Sequence, residues 1–195
     1  KKGIEKMNNI LMPALILILL FLLIYSVQLD GFYKAFEFMF YPNFEKFKSS
    51  SIIVAVGHAF FTLSIGMATI LTYAASLDKN VNIVRASITV VIMDTLIAIA
   101  AGLIIFSIIF TANQEPGKGA GLVFITLPAI FNEMGTIGIY LALLFFIALA
   151  FAAITSAISI LEPTVMYLVE RRNISRKQAT YSVALIAYGL GLLAL

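Results

Sequence analysis

Asp94 is an acidic residue inside an apolar stretch, and this position marks its carboxylate as a candidate functional group. Residues 86–114 carry no other formal charge, and Asp94 lies about a third of the way along them. An acidic side chain in apolar surroundings is costly, and it is usually paired, bound to an ion or protonated. Asp94 is therefore a candidate cation ligand. The alternative is a carboxyl group that hydrogen-bonds between packed helices.

Hydroxyl groups form a second candidate site. Ala152, Thr155, Ser156 and Ile160 are spaced by three and four residues, which places them on one face of a helix. Two hydroxyls and the carbonyl of Ala152 would offer a hard cation its oxygen ligands. Serine and threonine are also common where small residues bring helices into close contact, so packing is the alternative interpretation.

A third set of residues, two hydroxyl-bearing side chains and a glycine, indicates a break in the helix within the apolar residues 49–77. Gly66 permits unusual backbone angles, and Thr62 and Ser64 can bond the backbone groups that a break exposes. Discontinuous helices near the middle of a bilayer are typical of transporter binding sites. His58 lies one helical turn before Thr62, and by itself it indicates a hydrogen-bonded structural histidine rather than a ligand.

The composition places these groups on membrane helices. Of the 195 residues, 62% are hydrophobic and 12% are charged, and the mean hydropathy is +1.04. A typical globular domain has about 45–50% apolar and roughly 25% charged residues. So few charges argue strongly against a soluble enzyme or a nucleic-acid binder. The absence of cysteine and the single histidine exclude a thiolate metal site and a histidine cluster.

Five stretches are long enough to cross a hydrocarbon core of roughly 30 Å, which takes about 20 helical residues. We predict an all-α polytopic membrane protein, in which residues 1–195 form part of a single transmembrane domain. The predicted spans are residues 8–28, 49–77, 86–112, 136–169 and 178–195. The short apolar stretch 119–135 contains Pro128 and predicts a re-entrant or lid-like external hairpin. Residues 30–48 are rich in aromatic residues and predict a segment at the outer interface.

The positive charges indicate the orientation, because Lys and Arg concentrate in cytoplasmic loops. With a cytoplasmic N-terminus, nine of them lie inside: Lys1, Lys2, Lys6, Lys79, Arg85, Arg171, Arg172, Arg176 and Lys177. Four lie outside: Lys34, Lys46, Lys48 and Lys118. We expect a multi-pass protein of the cell (inner) membrane with the N-terminus of this segment in the cytoplasm. The chain starts without Met and stops within an apolar run, so we expect a piece of a longer protein.

Four stretches, taken in order, form a pattern found in a known family. They are Gly3 to Pro13, Val56 to Gly66, Phe124 to Phe131, and Ala152 to Ser156 followed by Glu162-Pro163. They resemble the Gly-x9-Pro motif of the fifth helix, the unwound sixth helix, the external lid and the eighth helix of the neurotransmitter:sodium symporters. Within that family, the stretches resemble in particular the bacterial amino-acid transporters with the LeuT fold. The resemblance covers essentially the whole chain and implies the fifth to ninth helices of a LeuT-type inverted-repeat bundle, with a discontinuous second span.

The resemblance implies a role for each matching residue at the two ion sites and the substrate. Phe61 would close over the substrate as an inner aromatic gate, and the backbone of residues 61–64, up to Ser64, would meet the substrate's amino group. Thr62 would ligate a first sodium ion. The expected ligands of a second sodium ion are Ala152, Thr155 and Ser156.

The resemblance also implies residues that border the pocket and form the gates. Ser156 and Ile160 would border the substrate, and the remaining sodium ligands would lie outside this chain. The expected gating residues are Gly3 and Pro13, near the intracellular sodium exit, and Glu170, an acid of the cytoplasmic gate.

Four positions depart from the family pattern. Asp94 stands where many members have a neutral Asn ligand, Ala98 stands where chloride-dependent members have Ser, and His58 replaces a usual Gln. We infer that Asp94 ligates sodium and also supplies the negative charge that chloride provides elsewhere, which predicts chloride independence. Met67 replaces an aromatic residue, and its flexible side chain favours large apolar or aromatic amino acids.

These expectations together describe a sodium-coupled symporter of an amino acid, not an enzyme, that works by alternating access. Its expected partners are the amino-acid substrate, two sodium ions, the lipid bilayer and the remaining helices of the transporter, with no nucleic acid. The alternative is a non-transporting amino-acid sensor or scaffold membrane protein of the same fold. No filter motif or ring of like charges indicates an ion channel.

Overall fold

The computed structural model describes residues 2–45, 47–66, 68–75, 81–117 and 119–193, with side chains from Lys6 onward. Within these ranges the chain forms helices and no strand, which confirms the all-α prediction. The helices are α1 (Lys2–Ser26), α2 (Phe32–Phe40), α3 (Ser49–Thr62), α4 (Thr69–Ala74), α5 (Ile83–Thr111), α6 (Leu127–Glu133), α7 (Gly135–Arg172) and α8 (Arg176–Leu193). Met67 lies outside the described residues, as do the predicted span ends at 76–77 and 194–195.

Three of the described helices are long and apolar enough to cross a membrane. They are the Lys6–Ser26 part of α1, α5 with 29 residues and α7 with 38 residues. A helix satisfies its backbone groups internally, which is why long apolar sequences adopt it in lipid. The other two predicted spans correspond to α3 with α4 and to α8, and all five span boundaries stay predictions.

The second predicted span is interrupted, as expected. Helix α3 ends at Thr62 and α4 begins at Thr69. Between them Ser64, Gly66 and Ala68 have φ values of +55°, +89° and +57°, which lie in the left-handed region. A right-handed helix cannot continue through such residues, so the two halves are separate helices.

The first of two compact units comprises Lys1–Lys48 and Val91–Ala153. Its core is a cluster of fully buried aliphatic and aromatic side chains from α1, α5, α6 and α7. The most buried members are Leu22, Ile104, Ile108, Ile109, Leu127, Ile130 and Phe131. The segment predicted as a lid contributes Leu127, Ile130 and Phe131 to this core, and a π-helical turn at Leu122–Thr126 leads directly into α6.

The aromatic segment after α1 forms α2, which is fixed to the end of α5. The Gly31 N–H donates to Thr111 Oγ1 at 3.0 Å, and that hydroxyl donates to the Ser107 carbonyl at 2.7 Å. Next to this contact, the ring of Phe38 packs edge-on against Phe110, with centroids 5.6 Å apart. The predicted position of residues 30–48, including α2, at the outer interface of the membrane stays a prediction.

The second compact unit comprises Ser49–Val90 and Ile154–Leu195. Its small core contains Val165 from α7 with Ala179 and Val183 from α8. Helix α8 starts after Ser175, whose Oγ accepts the Gln178 N–H at 3.4 Å and so caps the first turn. This unit contains the interrupted helix and the hydroxyl-bearing turn of α7.

Candidate functional site

The end of α3 is closed by a specific hydrogen-bonding pattern. The Ile65 N–H donates to the Phe60 carbonyl at 2.9 Å, and the Ser64 N–H donates to the Phe61 carbonyl at 3.0 Å. These two bonds, with Ser64 left-handed, are the Schellman arrangement that ends many helices. The pattern fixes the backbone that, by the family resemblance, is expected to meet the substrate's amino group.

The predicted ligands of α3 lie at the last turn of this helix. Thr62 is its final residue, and Phe61 is adjacent with 72% of its surface exposed in this chain. A helix C-terminus carries a partial negative charge from its last carbonyl groups, which favours a nearby cation. His58 also lies on α3 and is exposed. The geometry of this end is therefore suited to a sodium ion or an ammonium group.

Helix α4 begins at Thr69, directly after Ala68, whose backbone is left-handed. Thr69, its first residue, is only 5% exposed, and its Oγ1 has no hydrogen-bond partner among the described residues. The Thr72 hydroxyl donates to the Ala68 carbonyl at 2.9 Å. The Tyr73 hydroxyl donates to Ser159 Oγ on α7 at 3.2 Å. Neither Tyr73 nor Ser159 stands out by residue type or spacing in the sequence.

The hydroxyl-bearing turn of α7 contains the residues proposed for the second ion. Thr155 is half-buried, whereas Ser156 and Ile160 are exposed in this chain. The Ser159 hydroxyl donates to the Thr155 carbonyl at 3.0 Å. Ala152 lies one turn earlier on the same helix. The predicted helical spacing of these residues is therefore present.

Asp94 is half-buried on α5 in the first compact unit. Ala98 lies one turn further along the same helix. Within the described ranges, no three acidic, histidine or cysteine side chains are close enough together to hold a metal ion.

The predicted gating residues lie on two long helices, Gly3 and Glu170 near helix ends and Pro13 in the interior of α1. Gly3 and Pro13 both lie in α1, where the proline removes a backbone donor and weakens the helix locally. Glu170 is exposed in the last turn of α7, beside Arg171 and Arg172. Glu162, which lies earlier on the same helix, pairs with Arg176.

The chain is similar to known transporters along its whole length. The family model for the Sodium:neurotransmitter symporter family matches residues 1–195. An uncharacterized sodium-dependent transporter of Bacillus subtilis, YhdH, is 33% identical over 192 residues, which are 98% of this chain and 42% of the relative. A sodium-dependent serotonin transporter of Drosophila melanogaster is 27% identical over 203 residues, covering 96% and 32% of the two chains.

A solved structure has the same fold. The crystal structure of MhsT in complex with L-phenylalanine matches with a TM-score of 0.86 and 40% identity. The match covers 98% of this chain and 43% of that chain. It confirms the predicted fold class. The chain spans about two fifths of the length of YhdH and of MhsT and about a third of the serotonin transporter.

Proposed function

Because this chain belongs to the sodium:neurotransmitter symporter family, we propose that it is the central-to-late part of a sodium-coupled amino-acid symporter. The observation that carries the proposal is the interruption between α3 and α4. Helix α3 ends in a capped turn at Thr62, and the chain passes through left-handed residues before Thr69. Such a break presents helix-end carbonyls at membrane depth, where they can replace the water around a cation or an ammonium group.

At this break we place the substrate and the first sodium ion. Thr62 ligates the ion, and the backbone from Phe61 to Ser64 receives the amino group of the amino acid. The ring of Phe61 covers the substrate as an inner gate, and its exposure in this chain leaves the ring available for that contact. Ser156 and Ile160 border the substrate side chain.

The second sodium ion has only neutral ligands from this chain. The Ala152 carbonyl and the hydroxyls of Thr155 and Ser156 provide three oxygens for a hard cation. Their helical spacing in α7 supports this assignment. Since no charge holds the ion, hydration during inward opening releases it, and the sodium gradient is thereby coupled to substrate movement.

Asp94 gives the first sodium site its charge in this proposal. A carboxylate near the ion offsets part of the cost of removing its water. Transport then needs no chloride, and Ala98 fits this scheme because it lacks the hydroxyl of chloride-dependent members. Gly3, Pro13 and Glu170 belong to the cytoplasmic exit and gate, with the N-terminus of the segment in the cytoplasm and the protein in the inner membrane.

A large hydrophobic or aromatic amino acid is the proposed substrate class. Met67 supports it through the flexibility of its side chain. The bound L-phenylalanine of MhsT supports it as well, since that protein is 40% identical to this chain. A ranking with glycine or alanine above tyrosine, tryptophan and leucine in competition binding would contradict the proposed class.

Uptake by the full-length protein in proteoliposomes tests the function. An inward sodium gradient should drive accumulation of labelled L-phenylalanine, because the sodium ions and the substrate move together. Equal sodium on both sides, or choline in place of sodium, should prevent accumulation. Sodium-dependent binding without accumulation would instead identify an amino-acid sensor or scaffold.

A further inference from the structure

A chain of two hydrogen bonds connects α4 to the hydroxyl-bearing turn of α7. The Tyr73 hydroxyl donates to Ser159 Oγ at 3.2 Å, and the Ser159 hydroxyl donates to the Thr155 carbonyl at 3.0 Å. All three residues belong to the second compact unit. The connection therefore joins the second half of the interrupted helix to the backbone of Thr155, whose hydroxyl is a proposed ligand of the second sodium ion.

The two hydrogen bonds donate in one direction, from Tyr73 to Ser159 and from Ser159 to Thr155. A serine hydroxyl has one hydrogen, and Ser159 uses it on the carbonyl four residues earlier in its own helix. Ser159 can then only accept from Tyr73, which is the arrangement observed. A serine that bonds back to its own helix tends to bend it, and a second helix bound to the same oxygen fixes its rotamer. Tyr73 therefore sets the geometry of the turn that contains Thr155.

We propose that Tyr73 and Ser159 are positioning residues for the second sodium ion. The inference rests on the proposed function and extends it to two residues that do not themselves ligate sodium. The ligands on α7 are neutral, so their affinity for sodium depends on placing the oxygens accurately, to within about 0.5 Å. The hydrogen-bond chain makes this placement depend on α4, and sodium binding in turn stabilises α4 against α7.

Sodium-induced thermal stabilisation of the full-length protein measures the affinity for sodium directly. The melting temperature is recorded as sodium chloride replaces choline chloride at constant ionic strength, because a ligand of the folded state raises it. Tyr73→Phe and Ser159→Ala should each raise the half-saturating sodium concentration about fivefold, the equivalent of one hydrogen bond. The substrate KM at saturating sodium should stay unchanged.

Two further variants separate positioning from general stability. Ser159→Thr keeps a hydroxyl on the same turn and should restore the wild-type sodium response. The double variant Tyr73→Phe/Ser159→Ala should equal the larger single effect, since both changes break one chain. Tyr181→Phe is the matched control, because this tyrosine of α8 is 77% exposed and should leave the response unchanged.

The possible results are distinct. Unchanged half-saturation in Tyr73→Phe, additive effects in the double variant, or a loss in Ser159→Thr as large as in Ser159→Ala would overturn the inference. If Ser159→Ala does not fold, Tyr73→Phe decides, because it keeps the ring and its packing. A wild-type protein without any sodium response would overturn the proposed function and this inference together, whereas a normal wild-type response with unchanged variants would overturn this inference alone.

Discussion

The guanidinium of Arg176 donates to the carboxylate of Glu162, with Nη2 2.6 Å from Oε1. Its Nη1 also lies 3.5 Å from the sulfur of Met166. The side chain of Glu162 is 14% exposed and that of Arg176 is 37% exposed, so the pair is partly shielded from water. Arg176 is the first residue of α8, and the ion pair therefore links the start of α8 to α7.

Removal of the cation should destabilise this helix pair. Arg176→Ala leaves a partly buried carboxylate without its charged donor, which costs on the order of 2 kcal/mol. We expect a lower melting temperature for the full-length protein. The matched control is Lys177→Ala, at the neighbouring exposed position, which should have little effect. Adding Glu162→Gln to Arg176→Ala should recover part of the loss, because an amide is cheaper to bury than an unpaired charge. Equal melting temperatures for Arg176→Ala and Lys177→Ala would show that the ion pair contributes nothing.

Gly31 should not tolerate a side chain. A Cβ at this position would lie 2.4 Å from the Thr111 backbone nitrogen and 2.5 Å from the Ser107 carbonyl oxygen. Both atoms belong to the backbone of α5, so the clash can be relieved only by moving α2 away. Gly31→Ala should lower the free energy of unfolding by about 1–3 kcal/mol, as overpacking does.

A glycine in open space provides the control for this prediction. At Gly121 in the same unit, an added Cβ meets no atom within 4 Å. Gly121→Ala should therefore leave the melting temperature of the full-length protein nearly unchanged. Similar melting temperatures for the two variants would contradict the direct packing of α2 on α5.

The sequence predicted the helix break, but not every residue that forms it. Gly66, Thr62 and Ser64 indicated the position through their residue types. Ala68 also adopts φ +57°, although nothing in its side chain favours a left-handed backbone. The Ala68 carbonyl accepts the Thr72 N–H at 3.0 Å, so this residue is tied to the first turn of α4 by a contact that its residue type does not indicate.

The polar pairs of the second unit were harder to predict. Glu162 lies in the eighth-helix motif and Arg176 is among the expected cytoplasmic positive charges, and nothing in their spacing relates one to the other. The pair forms because α8 turns back along α7 after Asn173, which has φ +52°. Tyr73 and Ser159 are 86 residues apart. Helical periodicity relates neighbours within one element, and it contains no information about which helices come into contact.

Gly66 should be needed for the backbone between α3 and α4. Its φ of +89° lies in the left-handed region, where a side chain costs roughly 1–2 kcal/mol. Gly66→Ala should lower the melting temperature and weaken L-phenylalanine binding, because the strained turn lies beside Thr62 and Ser64. Gly57→Ala is the control within α3, and it should be neutral or stabilising because alanine favours a helix interior by about 1 kcal/mol. Unchanged binding in Gly66→Ala would contradict the assigned substrate position.

Asp94→Asn tests the proposed source of charge at the first sodium site. The substitution keeps a ligand oxygen and removes the negative charge. Opposite unit charges about 4 Å apart attract by about 4 kcal/mol at an effective dielectric constant of about 20, and about 1.4 kcal/mol corresponds to a tenfold change in affinity. The half-saturating sodium concentration for uptake should therefore rise at least about tenfold, while Asp30→Asn, at an exposed position after α1, should leave it unchanged.

Wild-type uptake should continue when gluconate replaces chloride, since the carboxylate already supplies the charge. Collapse of wild-type uptake in gluconate, or an unaltered sodium response in Asp94→Asn, would disprove this role for Asp94.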